Sequence, residues 1–230
     1  MNLALAGLSY GITLVALVLL AVRTKALIGI YKKGQPDPTR STNKFQRLRM
    51  AAREIFGHTK MLNFTVVGFA HWFVMVGFFA LFGTLITAYG QLINPEFALP
   101  VIGHFWVYEF ITELVAWSTG IGIVTLIGIR QVTRLGNKRS RFAGSGNAKA
   151  YYVEFTIVLI VFCVIALRGL EGALSDETSW NRHYITTWFI ADMFNSMSTS
   201  QITSWIQIVA TIKIVGSMTW FIVIATNLTM

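Results

Sequence analysis

The chain has 230 residues, of which 54% are hydrophobic and 13% charged, and this excludes an ordinary soluble domain, where about 25% of residues are charged. The net charge of +9 is read as a signal of membrane topology rather than of nucleic-acid binding, because Lys and Arg collect in cytoplasmic loops. The single cysteine, Cys163, excludes an intrachain disulfide and a cysteine-ligated iron–sulfur cluster, which needs several thiolates.

The hydropathy pattern predicts an all-α membrane bundle of about five transmembrane helices with additional interfacial amphipathic helices. Each predicted span is long enough to cross a bilayer, which takes about 20 apolar residues. The first span lacks the basic n-region of a signal peptide. We place the spans in one domain over 1–230, at about 3–22, 62–90, 105–130, 150–170 and 202–228.

Two stretches between the spans are predicted to lie at the membrane surface. After a break at Gly34–Pro38, Ser41 or Thr42 is expected to cap a basic amphipathic helix that continues to about Phe56. Its apolar side chains would contact lipid while its arginines meet the headgroups. Residues 184–198 are amphipathic and too polar to span, so they are also placed at the interface.

The basic residues predict the orientation of the bundle. Ten Lys and Arg lie between Arg23 and Lys60 and six between Arg130 and Lys149, which makes 16 of the 19 in the chain. Both basic loops are therefore expected in the cytoplasm, with the N-terminus outside and the C-terminus inside a cell inner (plasma) membrane. The chain stops directly after an apolar run, so we expect it to be the N-terminal membrane part of a longer protein.

His71 is the first candidate site residue, because an ionisable side chain near the midplane is costly and suggests a function. It is predicted to be an axial haem ligand or a quinone hydrogen-bond partner; the alternative is a neutral imidazole bonded to a neighbouring helix. His58 is the second candidate cofactor ligand, against an ordinary interfacial histidine. His104 is placed near a quinone headgroup or at a helix cap, and His183 in solvent.

Glu113 and Lys213 are predicted at similar depth in the third and fifth spans, and we expect them to pair. Arg168 is expected to pair with Glu109 or to compete for Glu113. Such a pair either fixes helix register or serves a proton path or quinone-headgroup site. Glu113 and Lys213 are therefore the candidate catalytic residues.

Several short motifs resemble one known family. They are GQPDP at Gly34 to Pro38, GFAHWF at Gly68 to Phe73, Gly77 to Phe79, Ala88 to Gly90, Ile102 to His104 and Ser140 to Phe142. Together they resemble the N-terminal membrane domain of (Fe–S)-binding reductases of the electron-transfer-flavoprotein dehydrogenase type. That domain is similar to the gamma subunit of respiratory nitrate reductase, a five-helix protein with two b haems.

The resemblance implies an electron conduit in the membrane. A cytoplasmic iron–sulfur reductase domain outside this chain would take electrons from electron-transfer flavoprotein, and the membrane domain would pass them to menaquinone, through haem b or directly. The related pattern takes haem ligands from the second and fifth helices. Here the fifth span has no histidine, and Lys213, Met218 and Asn227 are its only candidate ligands.

Two functions of other classes stay open beside this one. The first is a structural membrane anchor without a redox cofactor. The second is a small transporter that uses Glu113 and Lys213 as a relay. Paired broken spans would favour the transporter.

Overall fold

The computed structural model describes residues 2–35, 37, 42–135, 147–177 and 179–227. These residues form helices and connections without a strand, which confirms the predicted all-α fold. The helices are α1 (Leu3–Lys32), α2 (Lys44–Gly57), α3 (Thr59–Leu62), α4 (Thr65–Ala80), α5 (Phe82–Ile93), α6 (Trp106–Leu135), α7 (Asn147–Leu174), α8 (Trp188–Met193) and α9 (Thr199–Asn227). The prolines of the predicted 34–38 break, Ser41, and the basic loop over 136–146 with its Ser140 to Phe142 motif lie outside the described residues.

Helices α1, α6, α7 and α9 are each long and apolar enough to cross a membrane. Helices α4 and α5 pass the same test only together, as a pair bent by 42°, and they make a fifth span if the pair is counted as one. This agrees with a multi-pass membrane protein. The observed helices are generally longer than the predicted spans, because turns that carry charged residues continue the helix beyond the apolar core.

The predicted span at about 62–90 is bent, because the helix breaks at Leu81 into α4 and α5. The carbonyl of Leu81 accepts from the backbone N–H of Thr84 at 3.0 Å and from the Thr84 hydroxyl at 2.6 Å. Bonds of this i→i+3 type tighten a helix and redirect its axis. The span also starts later than predicted, at Thr65, since Met61 belongs to the short helix α3.

Helix α9 lies at the centre of the bundle, with α1, α5 and α7 around it. Its residues Ile206, Ala210 and Ile214 are fully buried, and they join one apolar core with residues of α1, α5 and α7. Helix α4 packs mainly on α6. The connections 94–105 and 175–198 lie at one end of the bundle, which we call the mouth end. The opposite end carries the basic connections, and we call it the basic end.

Small residues allow α4 and α6 to approach closely. A side chain on Gly122 would meet the carbonyl oxygen of Ala70, and one on Gly77 would meet Thr119. Close approach through glycine is common between membrane helices, where dispersion contacts replace the hydrophobic effect. The spacing of α4 and α6 therefore depends on these two positions.

We expect Gly77→Ala to lower the free energy of unfolding by about 1–3 kcal/mol, the usual cost of overpacking. The new Cβ would lie 1.9 Å from the Thr119 hydroxyl oxygen and 2.9 Å from its Cβ, so the helices must separate. Loss of helical signal during denaturation of the detergent-solubilised protein measures the change. Gly7→Ala is the matched control, since no atom lies within 4 Å of its added Cβ. An equally stable Gly77→Ala variant would contradict the tight packing.

The basic helix after the first span is found, over Lys44–Gly57, and none of its residues is buried. Its cap differs from the prediction, because Asn43 precedes the helix and makes no side-chain cap bond. Its large apolar side chains are exposed, as expected for contact with lipid; they are Phe45, Leu48, Met50, Ile55 and Phe56.

The stretch 184–198, which was placed at the interface, lies at the mouth end of the bundle and is buried on one side. Tyr184, Thr187 and Ala191 are buried, and only the short helix α8 forms within the stretch. Helix α8 packs on α7. The segment is thus part of the mouth end of the bundle.

Candidate functional site

A cavity of about 350 Å³ opens among the helices at the mouth end, and we call it the mouth cavity. It reaches from the 94–105 connection down to Lys213 on α9, and α5, α6 and α7 supply its other walls. Its polar lining includes Gln91, Tyr108 and His104. Its volume lies at the lower end of the range of small-molecule sites, about 300–1,000 Å³.

Lys213 forms the floor of the mouth cavity and is only 2% exposed. Its ammonium donates to the Thr84 carbonyl at 2.7 Å and to the Thr84 hydroxyl at 2.8 Å. It lies 14 residues from the start of α9, or about 21 Å along the helix. An ammonium has three N–H donors, so one remains for a ligand.

The predicted ion pair between Glu113 and Lys213 is wrong, because each has other partners. The Glu113 carboxylate accepts from the Thr186 N–H at 2.8 Å, the Thr186 hydroxyl at 2.6 Å and the Thr187 hydroxyl at 2.7 Å. With Arg168 at 3.4 Å, its oxygens are fully used. Glu113 therefore holds the 184–188 stretch in place.

Arg168 joins three carboxylates beside the mouth cavity. Its guanidinium lies 2.8 Å from Glu171, 3.4 Å from Glu113 and 3.6 Å from Glu109, and it also donates to the His183 carbonyl. Glu109 and Glu113 were predicted as alternative partners of Arg168, and in the structure Arg168 contacts both. The Glu171 contact was missed, although its i,i+3 spacing on one helix was a usable signal.

Tyr184 covers the guanidinium of Arg168 on the cavity side. Its ring centroid lies 4.5 Å from the Arg168 Cζ, within the range of a cation–π contact. Burial raises the pKa of the Tyr184 phenol to about 12, against the opposing effect of Arg168. The phenol therefore remains protonated at neutral pH and keeps its hydrogen-bond donor.

His183 is only partly solvated, because its ring pairs with Glu109. The His183 Nδ1 lies 2.6 Å from a Glu109 oxygen, with side-chain exposures of 33% and 4%. The Arg182 Nε donates to the other ring nitrogen of His183 at 3.3 Å. This arrangement corresponds to a neutral imidazole with its proton on Nδ1.

Three buried polar atoms of the cavity lining have no hydrogen-bond partner among the described residues. They are the Tyr108 hydroxyl, the Gln91 Oε1 and the Arg168 Nε. The amide nitrogen of Gln91 is used, since it donates to Glu171 at 2.6 Å. Buried polar groups are normally paired, so free donors and a free acceptor around one cavity suggest a polar ligand.

The candidate cofactor ligands His71 and His58 lie next to each other, away from the mouth cavity. Their ring centroids are 5.5 Å apart. His58 has a left-handed backbone (φ 47°) that separates α2 from α3 and turns the chain back along α4. Its Nδ1 lies 2.8 Å from the Ile55 carbonyl, and when Nδ1 carries the proton, Nε2 is left free.

The histidine pair has the donor chemistry that haem b uses, because two imidazoles lie next to each other with ring centroids 5.5 Å apart. The bond from His58 to a backbone carbonyl is the usual support of a metal-bound imidazole. The chemistry of the donor set therefore fits the iron of haem b, which His58 and His71 would hold. The described residues contain no group of three or more metal-binding side chains.

The chain packs closely against itself beside His71, because a Cβ added to Gly68 would lie 2.1 Å from the Met61 carbonyl oxygen. The fifth-span candidates Lys213, Met218 and Asn227 are not the neighbours of His71 in this pair. The imidazole beside His71 belongs to His58, the second candidate cofactor ligand.

The predicted site residues thus belong to two separate sites. Lys213 and His104 line the mouth cavity, Glu113 braces its rim through Arg168, and His58 and His71 form a second site. Comparisons with protein-family models, with curated proteins and with solved structures give no match.

Proposed function

We propose that the chain is the membrane domain of a quinone-linked electron-transfer oxidoreductase and that the mouth cavity holds the quinone headgroup. The buried Lys213 ammonium, with one N–H left over at the floor of the cavity, carries this proposal. A quinone carbonyl accepts that hydrogen bond, and the Tyr108 hydroxyl supplies a second donor. The free Gln91 oxygen accepts the O–H of the reduced form.

The charges of the cavity wall favour a neutral ligand. Arg168 and Lys213 are the basic side chains of the lining, and Glu96, Glu109 and Glu171 supply three carboxylates. An anionic substrate would meet these carboxylates in a poorly solvated space, where unpaired charge is costly. A quinone brings no charge and has two acceptors.

The basic end is the proposed cytoplasmic side, because 16 of the 19 Lys and Arg flank it. There a cytoplasmic iron–sulfur reductase domain, fed by electron-transfer flavoprotein, would deliver electrons, and menaquinone would receive them in the mouth cavity. His58 and His71 would hold haem b, which supplies one-electron transfer when bound. The Ile55 carbonyl fixes the ring of His58.

A reduced-minus-oxidised visible spectrum of the purified chain tests the haem part of the proposal. We expect a b-type α band that is lost in both His71→Ala and His58→Ala. Phe69→Leu is the control, because Phe69 is an exposed neighbour on α4. A band that survives in both histidine variants would place the haem elsewhere.

Calorimetric titration with a short-chain naphthoquinone tests the cavity part. Saturable binding to the wild type supports the proposal. A protein with neither a haem band nor naphthoquinone binding would contradict electron transfer and leave the structural anchor or the transporter.

One observation favours a second candidate, the small transporter. The α4–α5 span is broken at Leu81, and the first turn after the break binds Lys213 through Thr84. Broken helices at mid-depth are typical of transporter sites. Proton or cation flux in proteoliposomes that is lost in Lys213→Met, without naphthoquinone binding, would favour transport over electron transfer.

A further inference from the structure

We propose that His183 and Glu109 form a proton route between the aqueous phase at the mouth end and the mouth cavity. This inference rests on the proposed quinone site and adds the groups that would exchange its protons. Glu109 is 4% exposed and lines the cavity, whereas the side chain of His183 is 33% exposed and lies outside it. A single 2.6 Å hydrogen bond joins the two.

The two ring nitrogens of His183 face different surroundings, as the transfer of a proton through the ring requires. Glu109 lies at the Nδ1 side of the imidazole, and Nε2 accepts from the Nε of the exposed residue Arg182 at 3.3 Å. Once Arg182 releases Nε2 to water, the ring can accept a proton outside and release it inside. Among the lining carboxylates, Glu109 has this link to a partly exposed histidine, whereas Glu171 bonds Gln91 and Arg168, and Glu96 is itself exposed.

The charged groups around His183 come from three elements. Glu109 faces it from α6, Arg168 donates to its carbonyl from α7, and Arg182 and Tyr184 flank it in the connection. Two arginines oppose an added positive charge on the ring, and Glu109 favours it. Glu109 is therefore the neighbour to which the ring can pass a proton.

Reduction of a bound quinone takes two electrons and two protons, one proton for each carbonyl oxygen. The electrons come from the iron–sulfur reductase domain. In each transfer Nε2 of His183 takes a proton from water, and the Nδ1 proton passes to the Glu109 carboxylate. An O–H bond of the resulting carboxyl group then breaks as an O–H bond of the quinol forms. The ring is left with its proton on Nε2 and has to rotate so that an N–H faces Glu109 again before the second proton passes. The reverse sequence would release protons from a quinol.

Infrared difference spectra recorded during electrochemical reduction of a short-chain naphthoquinone, bound to the purified full chain, test the route. We expect a carboxyl signal in the wild type that disappears in Glu109→Gln. We also expect reduction of the bound quinone to slow at least tenfold in Glu109→Gln and His183→Gln. Glu177→Gln is the matched control, since Glu177 is exposed in the same connection and its carboxylate accepts only from Asn181 among the described residues.

Calorimetric affinity separates this inference from the proposed function. Suppose that the wild type and the variants bind naphthoquinone equally, and that the carboxyl signal and the reduction rate are unaltered in Glu109→Gln. That result overturns the proton route but does not contradict the quinone site. A wild type that binds no naphthoquinone overturns the quinone site, and the route falls with it. If Glu109→Gln does not fold, His183→Gln gives the decisive rate, because its side chain is partly exposed.

Discussion

Lys213→Met is expected to weaken naphthoquinone binding by about ten- to a hundredfold, since a hydrogen bond to a charged group contributes about 1.5–3 kcal/mol. The substitution removes the ammonium from the floor of the mouth cavity and fills its place with an apolar side chain of similar length. Helical content should not change, because replacing a buried charge by a packed apolar residue is often neutral or stabilising. Calorimetry on the detergent-solubilised variant measures the affinity, and circular dichroism checks the fold.

Two further variants sharpen this prediction. Lys60→Met removes an exposed lysine at the basic end and should bind naphthoquinone as the wild type does. Thr84→Val removes the hydroxyl that holds the ammonium at 2.8 Å and leaves the carbonyl bond, so we expect a smaller loss than in Lys213→Met. An unchanged naphthoquinone affinity in Lys213→Met would contradict quinone binding at the floor of the mouth cavity.

The spans could be predicted because the membrane requires long apolar helices, and α1, α6, α7 and α9 each satisfy that requirement alone. The break at Leu81 was missed because the stretch is apolar on both sides of it. Thr84 was the usable signal, since a threonine hydroxyl can compete for a backbone carbonyl three residues earlier.

The partners of the polar residues were predicted less well than the residues themselves. Lys213, Glu113 and Arg168 were correctly identified as buried ionisable groups. Similar depth does not establish contact, because two residues at one depth can lie on opposite faces of their helices. Lys213 bonds a backbone carbonyl, and any residue type carries a carbonyl, so the sequence holds no signal for this contact.

The connection after the fourth span shows the same limit. It was treated as a solvated loop followed by a surface segment because it is rich in polar residues. The structure uses these polar residues as donors to Glu113 and as a partner of Glu109. A polar stretch beside buried carboxylates can therefore be structural, and only the fold shows which carboxylates lie within reach.

Arg168→Met is expected to cost about 3–5 kcal/mol of stability, because removing one partner of a buried ion pair leaves uncompensated charge. The loss would leave Glu109, Glu113 and Glu171 without their shared cation and would free the His183 carbonyl. Loss of helical signal during denaturation in detergent measures the change. Arg53→Met, at an exposed position of α2, should stay within about 0.5 kcal/mol of the wild type.

A double-mutant cycle shows whether this cost arises from the carboxylates. Glu171 is the closest to Arg168, at 2.8 Å, so Arg168→Met and Glu171→Gln should be coupled by about 0.5–3 kcal/mol, as residues of one ion-pair network are. The double variant would then be more stable than the sum of the two single losses predicts. Strictly additive losses, or an Arg168→Met protein as stable as the wild type, would show that Arg168 is held by packing against Tyr184 rather than by charge.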